Sequence, residues 1–257
     1  MRIDREAMNI DRMPRGGPYA SWLDRLLQTN RLEYLDRDDV DDRIKRQVVG
    51  ALDRLGSLLK DHEKFALLAL DQVADVADPK ILELGSGHGG LSRKLLERHP
   101  TAEVTVTDLD PTSVANIAAG DLGRHPRATV RVMDATEIDA PEGYFDLVVF
   151  AQSFHHLPPA LAWRVFAEGT RVAEKLLIID LPRPPSVQHI AQLAPLLPLT
   201  ALHPFAHEAI ISSLRAYSPS AMRALAAYAD PAIDVRLHKQ PWGRQIVVAT
   251  RSVQRSR

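Results

Sequence analysis

One stretch of eleven residues, Lys80 to Gly90, reading KILELGSGHGG, restricts the fold of this chain more than any other. Ile81, Leu82 and Leu84 form the short apolar run of a strand buried on both faces, and Gly85, Gly87, Gly89 and Gly90 follow at once. So abrupt a change marks a strand-to-helix turn. Glycine there permits positive φ and lets a ligand lie against bare backbone, while the free N–H groups of the next helix point into the same crevice. Gly85, Gly87 and Gly90 also satisfy the GxGxxG pattern of dinucleotide sites. Glu83 separates the readings: at the carboxyl end of the strand its carboxylate repels a pyrophosphate and attracts an amino group or a sulfonium. A cationic ligand is the expectation.

Around this turn the chain alternates strand and helix. Strands are expected over 81–84, 103–108, 128–133, 144–150 and 175–180, with helices over 90–98, 111–119 and 158–170. This is the βαβ pattern of a parallel sheet covered by helices on both faces. Two last strands, 233–238 and 245–250, are joined by Gln240, Pro241, Trp242 and Gly243, a turn-like linker suited to a hairpin.

Before the core, residues 1–18 show no sustained periodicity and read as a mobile arm, a flap ordered on binding, or a disordered tail. Trp22/Leu23 and Leu26/Leu27 then recur at helical spacing, and Val40, Ile44, Val48, Leu52, Leu55 and Leu59 form the apolar stripe of a longer helix. The carboxylates of Asp36, Asp38, Asp39, Asp41 and Asp42 stand where that helix begins, as the helix dipole favours. A third helix is expected from about His62 to Val76. After the fifth strand the alternation breaks. Residues 183–217 hold Ile190, Leu193, Leu196, Leu197, Leu199, Leu202, Phe205, Ile210, Ile211 and Leu214, interrupted by Pro195, Pro198 and Pro204. Side chains so apolar must be buried against something. An insertion at this point lies over the carboxyl edge of the sheet, where open α/β folds bind ligands, so it reads as a lid over an acceptor pocket or as a homodimer interface.

In its core the chain resembles the class I S-adenosylmethionine-dependent methyltransferases of the small-molecule type. Glu83 to Gly89 match that family's acidic, apolar, Gly-x-Gly-x-Gly motif, and VTVTDLDP, VRVMDATEI and FDLVVFAQSFHHL follow in the family's order between Lys80 and Asp180. The resemblance implies a mostly parallel, doubly wound α/β fold with a seven-stranded Rossmann-like sheet and a terminal antiparallel strand. A helical cap (1–78) precedes that core (79–257), and the insertion 183–217 is the lid. It also implies S-adenosyl-L-methionine as cofactor and S-adenosyl-L-homocysteine as product. The cofactor site is expected at Glu83, Gly85, Ser86, Gly87, Asp108, Leu109, Asp134, Ala135 and Gln152, with Asp108 accepting the ribose hydroxyls.

Methyl transfer from a sulfonium needs alignment and exclusion of water, and an oxygen acceptor also needs a base. His155 and His156 follow the fourth strand at its carboxyl edge and are the candidates, His156 ahead of His155, with His203, His207 and Tyr217 in reserve. In an extended segment only one of the pair can face the site. The same loop lacks the Asn-Pro-Pro-Tyr signature of adenine and glutamine amide methylation, and Ala151 and Gln152 stand where magnesium-dependent relatives carry an aspartate. With no metal-ligand spacing elsewhere, no metal is expected. The acceptor expected is a small, partly apolar metabolite, methylated at oxygen.

Composition narrows the alternatives. The chain has 257 residues, no cysteine and a net charge of −1, so disulfides, thiolate metal sites and a nucleic-acid footprint are excluded. The basic tail RSVQRSR reads as a frayed end. No stretch reaches the ~18 apolar residues of a membrane span and no signal-peptide core is present, which together point to the cytoplasm. Two other functions fit the turn: an NAD-dependent oxidoreductase, disfavoured by Glu83 and the terminal hairpin, and a binding-only protein on the same scaffold.

Overall fold

The computed structural model describes residues 9–34, 37, 39–201, 203–239 and 243–252. Asp36, Asp38, Leu202, the turn residues Gln240, Pro241 and Trp242, most of the basic tail and the first eight residues of the arm lie outside that set.

The strands are β1 (Lys80–Leu84), β2 (Glu103–Asp108), β3 (Ala128–Val132), β4 (Phe145–Ala151), β5 (Ala173–Asp180), β6 (Ile233–Lys239) and β7 (Gln245–Arg251). They form one sheet in the order β3-β2-β1-β4-β5-β7-β6. Pairing is parallel from β3 to β5, while β7 runs antiparallel to both β5 and β6. The expected fold class is therefore met. Chain order reverses between the adjacent β1 and β4, which opens a crevice at their carboxyl ends.

The period-two alternation of strand side chains divides the core. Leu82, Leu84, Val148, Phe150, Leu176 and Ile178 face one side, against α6 (Pro159–Val172) and α9 (Pro219–Ala229). Ile81, Leu147, Val149, Leu177 and Ile179 face the other, against α3 (Asp61–Gln72) and α4 (Gly90–Arg98). Glu83 falls in the second set, which aims it at α4 beneath the glycine turn.

The N-terminal segment differs from expectation. Ile10 and Met13 are buried in the core beside α6, and buried Arg15 donates to the carbonyls of His155, Leu157 and Arg215. Residues 9–18 are thus a packed strap. The apolar pairs of α1 (Trp22–Leu26) are not what seats it: Trp22 and Leu26 are exposed. A buried guanidinium holds it instead. Arg183 Nε donates to Asp24 Oδ1 at 2.8 Å, and its Nη2 donates to the carbonyls of Asp24 and Leu27 at 2.8 and 2.7 Å, which satisfies the end of the short helix.

Helix α2 (Asp42–Leu59) opens as the carboxylate pattern suggested, with Asp41 Oδ1 accepting from Arg43 N at 2.7 Å. Val48 is fully buried, but Leu55 and Leu59 stay substantially exposed, so the stripe is covered only in part. Helix α3 starts at Asp61 and ends at Gln72, short of Val76. After β5 come α7 (Ser186–Leu193), a 3-10 turn (Leu197–Ala201) and α8 (Pro204–Arg215), and α8 packs on α2 and on the turn after β4. Among the described residues no helix is long and apolar enough to cross a membrane.

Replacing Arg183 with Ala removes the donor to the Asp24 carboxylate and to the carbonyls of Asp24, Leu27, Leu214 and Ala216. Breaking a buried ion pair of this kind costs about 3–5 kcal/mol. We expect a lowered urea midpoint and faster proteolysis within residues 21–32; a variant with wild-type stability and cleavage pattern would show that Arg183 does not anchor α1.

Candidate active site

A cavity of about 1850 Å³ opens along the carboxyl edge of the sheet. Single small-molecule pockets span ~300–1,000 Å³, so this one has room for two ligands side by side.

Its first end is the glycine turn. Gly85, Gly87 and Gly89 take φ values of +61°, +57° and +77°. A Cβ on Gly85 would strike Phe150 at 2.9 Å, whereas one on Gly87 would meet nothing within 4 Å, so the space above Gly87 is open to a ligand. The Gly87 N–H donates to Asp108 Oδ2 at 2.8 Å, which ties the turn to the end of β2. Asp110 N donates to Asp108 Oδ1. Ser86 Oγ is buried with no hydrogen-bond partner among the described residues, an orphan that a bound polar group would satisfy. Glu83 accepts from Ser92 Oγ and is otherwise sunk in the wall; burial pushes its carboxyl up to about 7, and the Asp108 charge adds to the rise. This donor set fits the S-adenosylmethionine that the motifs imply: carboxylates for cationic and hydroxyl groups, bare backbone for close approach, and a helix start.

Of the residues expected to hold that cofactor, Glu83, Gly85, Ser86, Gly87, Asp108 and Gln152 line the cavity. Leu109, Asp134 and Ala135 do not. Leu109 is 64% exposed. Asp134 folds back on its own turn, accepting from Thr136 N and Oγ1, and Ala135 packs on the core beside α6. Gln152 has a left-handed backbone at φ +59°, and its Oε1 accepts from Arg244, which also pairs with Asp61 at the start of α3.

At the second end stand the two histidines. Phe154–His156 is a 3-10 turn, not an extended segment, so both rings face the same way, 4.4 Å apart. His155 is buried. Its backbone N–H and its Nδ1 each bond Asp180, at 2.7 Å, and its Nε2 faces Glu33 Oε1 at 3.4 Å. Burial alone would lower this imidazole, but the carboxylates of Asp180 and Glu33 outweigh it and raise the group to about 9. His156 keeps 28% of its side chain exposed, with Nε2 3.6 Å from Glu33 Oε2. Glu33 is held below the ordinary carboxylate range: burial opposes ionisation, and His155 and His156 overcome it. The reserve candidates have structural tasks. His203 caps α8, His207 stacks on Tyr34, and the Tyr217 hydroxyl donates to Leu157 O.

Sequence reasoning missed Glu33 and Asp180. Asp180 ends an apolar strand just as Asp108 does, a usable signal. Glu33 lies in an aperiodic connection and carries none. The insertion is also less greasy toward the cavity than its composition suggested: Ile210 and Ile211 are buried in packing, while Phe205, Glu208, Ala209 and Ser212 of α8 line the wall.

Comparison with known proteins agrees with this layout. Residues 81–175 match the family described as a methyltransferase domain. The chain is 37% identical over 106 residues to the malonyl-[acyl-carrier protein] O-methyltransferase of Geobacter sulfurreducens, covering 41% of this chain and 39% of the relative. It is 33% identical over 122 residues to the demethylmenaquinone methyltransferase of Thermus thermophilus, covering 46% and 54%. The chain thus spans about half or less of the length of these relatives. Its fold is that of the plantazolicin methyltransferase BpumL solved in complex with SAH, at a TM-score of 0.64, 10% identity, and coverage of 85% and 92%.

The raised Glu83 has a consequence for stability. An unfolded glutamate releases its proton near ~4.3 and the folded one only at about 7, so between those values the folded state binds more protons. Stability of the ligand-free chain should therefore fall as pH rises through this window. Glu83→Gln, which cannot ionise, is expected to recover on the order of 1–3 kcal/mol at the alkaline end and flatten the profile. Melting curves from about pH 5 to about pH 8 check this; parallel profiles for the two proteins would contradict it.

Proposed function

We propose that this chain, whose residues 81–175 match a methyltransferase domain, is a class I S-adenosylmethionine-dependent methyltransferase that transfers the methyl group of S-adenosylmethionine to an oxygen of a small, partly apolar acceptor. The observation that carries the proposal is one continuous cavity with the glycine turn at one end and the Glu33–His155–His156 cluster at the other. When bound, the cofactor supplies an electrophilic methyl on a sulfonium. The chain has to position, shield and handle one proton.

Positioning falls to Gly85, Ser86 and Gly87, which offer backbone and a free hydroxyl, and to Asp108, whose outward lone pairs suit a ribose diol. Glu83, raised to about 7 in the ligand-free chain, is drawn toward ionisation by a cationic group beside it and then supplies negative charge toward that end. Shielding falls to α7 and α8, which line the cavity. The proton is the task of the Glu33–His155–His156 cluster, within which Asp180 fixes the tautomer and the plane of His155 and His156 has the access. One of the relatives is named an O-methyltransferase, which supports an oxygen target, and another is named a demethylmenaquinone methyltransferase, which supports a partly apolar class of substrate.

Two measurements test the reading. Hydrogen bonds to a charged group contribute about 1.5–3 kcal/mol, so Asp108→Ala should weaken S-adenosylmethionine binding in calorimetry by roughly tenfold or more. An unchanged dissociation constant refutes the ribose assignment, and tighter binding of NAD by the wild type would favour the oxidoreductase. In a labelled-methyl screen of phenolic, enolic and carboxylic acceptors, His156→Ala should lower turnover by ~10²- to 10⁴-fold with cofactor affinity intact. A loss below about fivefold would return the histidines to a packing role.

A further inference from the structure

The spacing of Glu33, His155 and His156 is one that metal ligands adopt. Their donor atoms lie within 4.8 Å of one another. His155 Nε2 stands 3.4 Å from Glu33 Oε1, and His156 Nε2 stands 3.6 Å from Glu33 Oε2. A charge-assisted N–H···O bond closes to about 2.7–2.9 Å, as His155 Nδ1 does with Asp180, and both contacts with Glu33 are longer than that. Oε1 of Glu33 is indeed buried with no hydrogen-bond partner among the described residues. Two ligands on a tetrahedral ion with bonds of ~2.0–2.1 Å lie about 3.3 Å apart, and on an octahedral ion about 2.9 Å apart. The two histidine–carboxylate separations are nearer the tetrahedral edge, and the three ligand atoms lie within 4.8 Å of one another.

The surroundings agree. Two imidazoles and one carboxylate are a donor set of open zinc sites, which leave the fourth position to solvent or substrate, and all three residues here border the cavity. The other ring nitrogen of His155 is already engaged by Asp180, the carboxylate–histidine arrangement that orients a metal-binding imidazole. We propose that Glu33, His155 and His156 form a site for a four-coordinate divalent ion of the zinc class, its fourth position turned into the acceptor cavity. The ion takes the place of the proton that His155 otherwise carries toward Glu33, as metals at histidine sites do. Arg215 stands 3.9 Å from Glu33 Oε1, and a divalent ion adds positive charge beside it, so the group best suited to the fourth position is an anionic oxygen. The sequence expectation of no metal followed from spacing along the chain, and this site draws its ligands from two distant segments. The proposal deepens the acceptor-site reading, rests on it for what occupies the fourth position, and gives His156 the role of ligand in place of base.

Metal binding is measured without turnover, so its failure and that of the methyltransferase reading are separate results. Purified full-length protein, stripped by chelator, is titrated with Zn²⁺ in a calorimeter and with Co²⁺ in a spectrophotometer. We expect one equivalent to bind, Co²⁺ giving the intense visible bands of a four-coordinate ion, and Glu33→Gln or His156→Ala to weaken binding by roughly a hundredfold or more, beyond the ~10- to 100-fold expected of Asp180→Asn one shell out. A cooperative melting transition shows that each variant is folded. For a variant that does not fold, X-ray absorption of the Zn²⁺-loaded wild type must show two imidazoles. No saturable binding by the wild type, equal binding by the Glu33 and His156 variants, or an absorption spectrum without the imidazole pair overturns the site.

Discussion

Asp180 accepts two hydrogen bonds from a single residue, the backbone N–H and the Nδ1 of His155, both at 2.7 Å and both buried. The acceptor half of the molecule depends on this contact. It pins the 3-10 turn after β4 to the end of β5 and sets the plane of the His155 ring, whose far nitrogen then faces Glu33. Around it a layer of arginines closes: Arg15 donates to the carbonyls of His155 and Arg215, and Arg215 donates to that of His156. Desolvating so many charges costs several kcal/mol per ion unless each is paired and hydrogen-bonded. A well-packed apolar plug would hold these segments together as firmly. Retaining charge here makes sense if the charges act on something in the cavity beside them.

The cofactor half of the fold was legible because its determinants are local. Strand, glycine turn and helix start are neighbours in the chain, and period-two alternation alone fixes which face of β1 meets α4 and so where Glu83 points. The carboxylates Asp108 and Asp180 sit at strand ends for the same reason. The acceptor half was legible only in outline. The insertion after β5 declared itself by its apolar content, yet which of its faces meets the cavity depends on α2 and α8 packing together, a tertiary fact. Glu33 reaches the histidines from an aperiodic connection, and Arg183 seats α1 although its sequence neighbourhood, PRPP, reads as a linker. The expectation that one histidine must turn away failed on a single assumption, an extended backbone. A 3-10 turn places consecutive side chains about 120° apart rather than opposite, so both rings can share a side.

The two halves meet at Gln152 and Ser153. Gln152 adopts a left-handed backbone that a non-glycine residue rarely tolerates, and it is held there by its N–H bonding Ile179 O at 2.7 Å and by Arg244 on its side-chain oxygen. Strain of this size, on the order of 1–3 kcal/mol, persists only where the surroundings over-determine it. Arg244 brings α3 into the arrangement through Asp61, so the cap, the last strand and the loop after β4 are joined at one guanidinium. On the other side of the same loop, Gly85 lies so close to Phe150 and Ser153 that no side chain fits between them. The glycine turn is thus packed directly against the segment that carries His155 and His156, and the two ends of the cavity share one piece of wall.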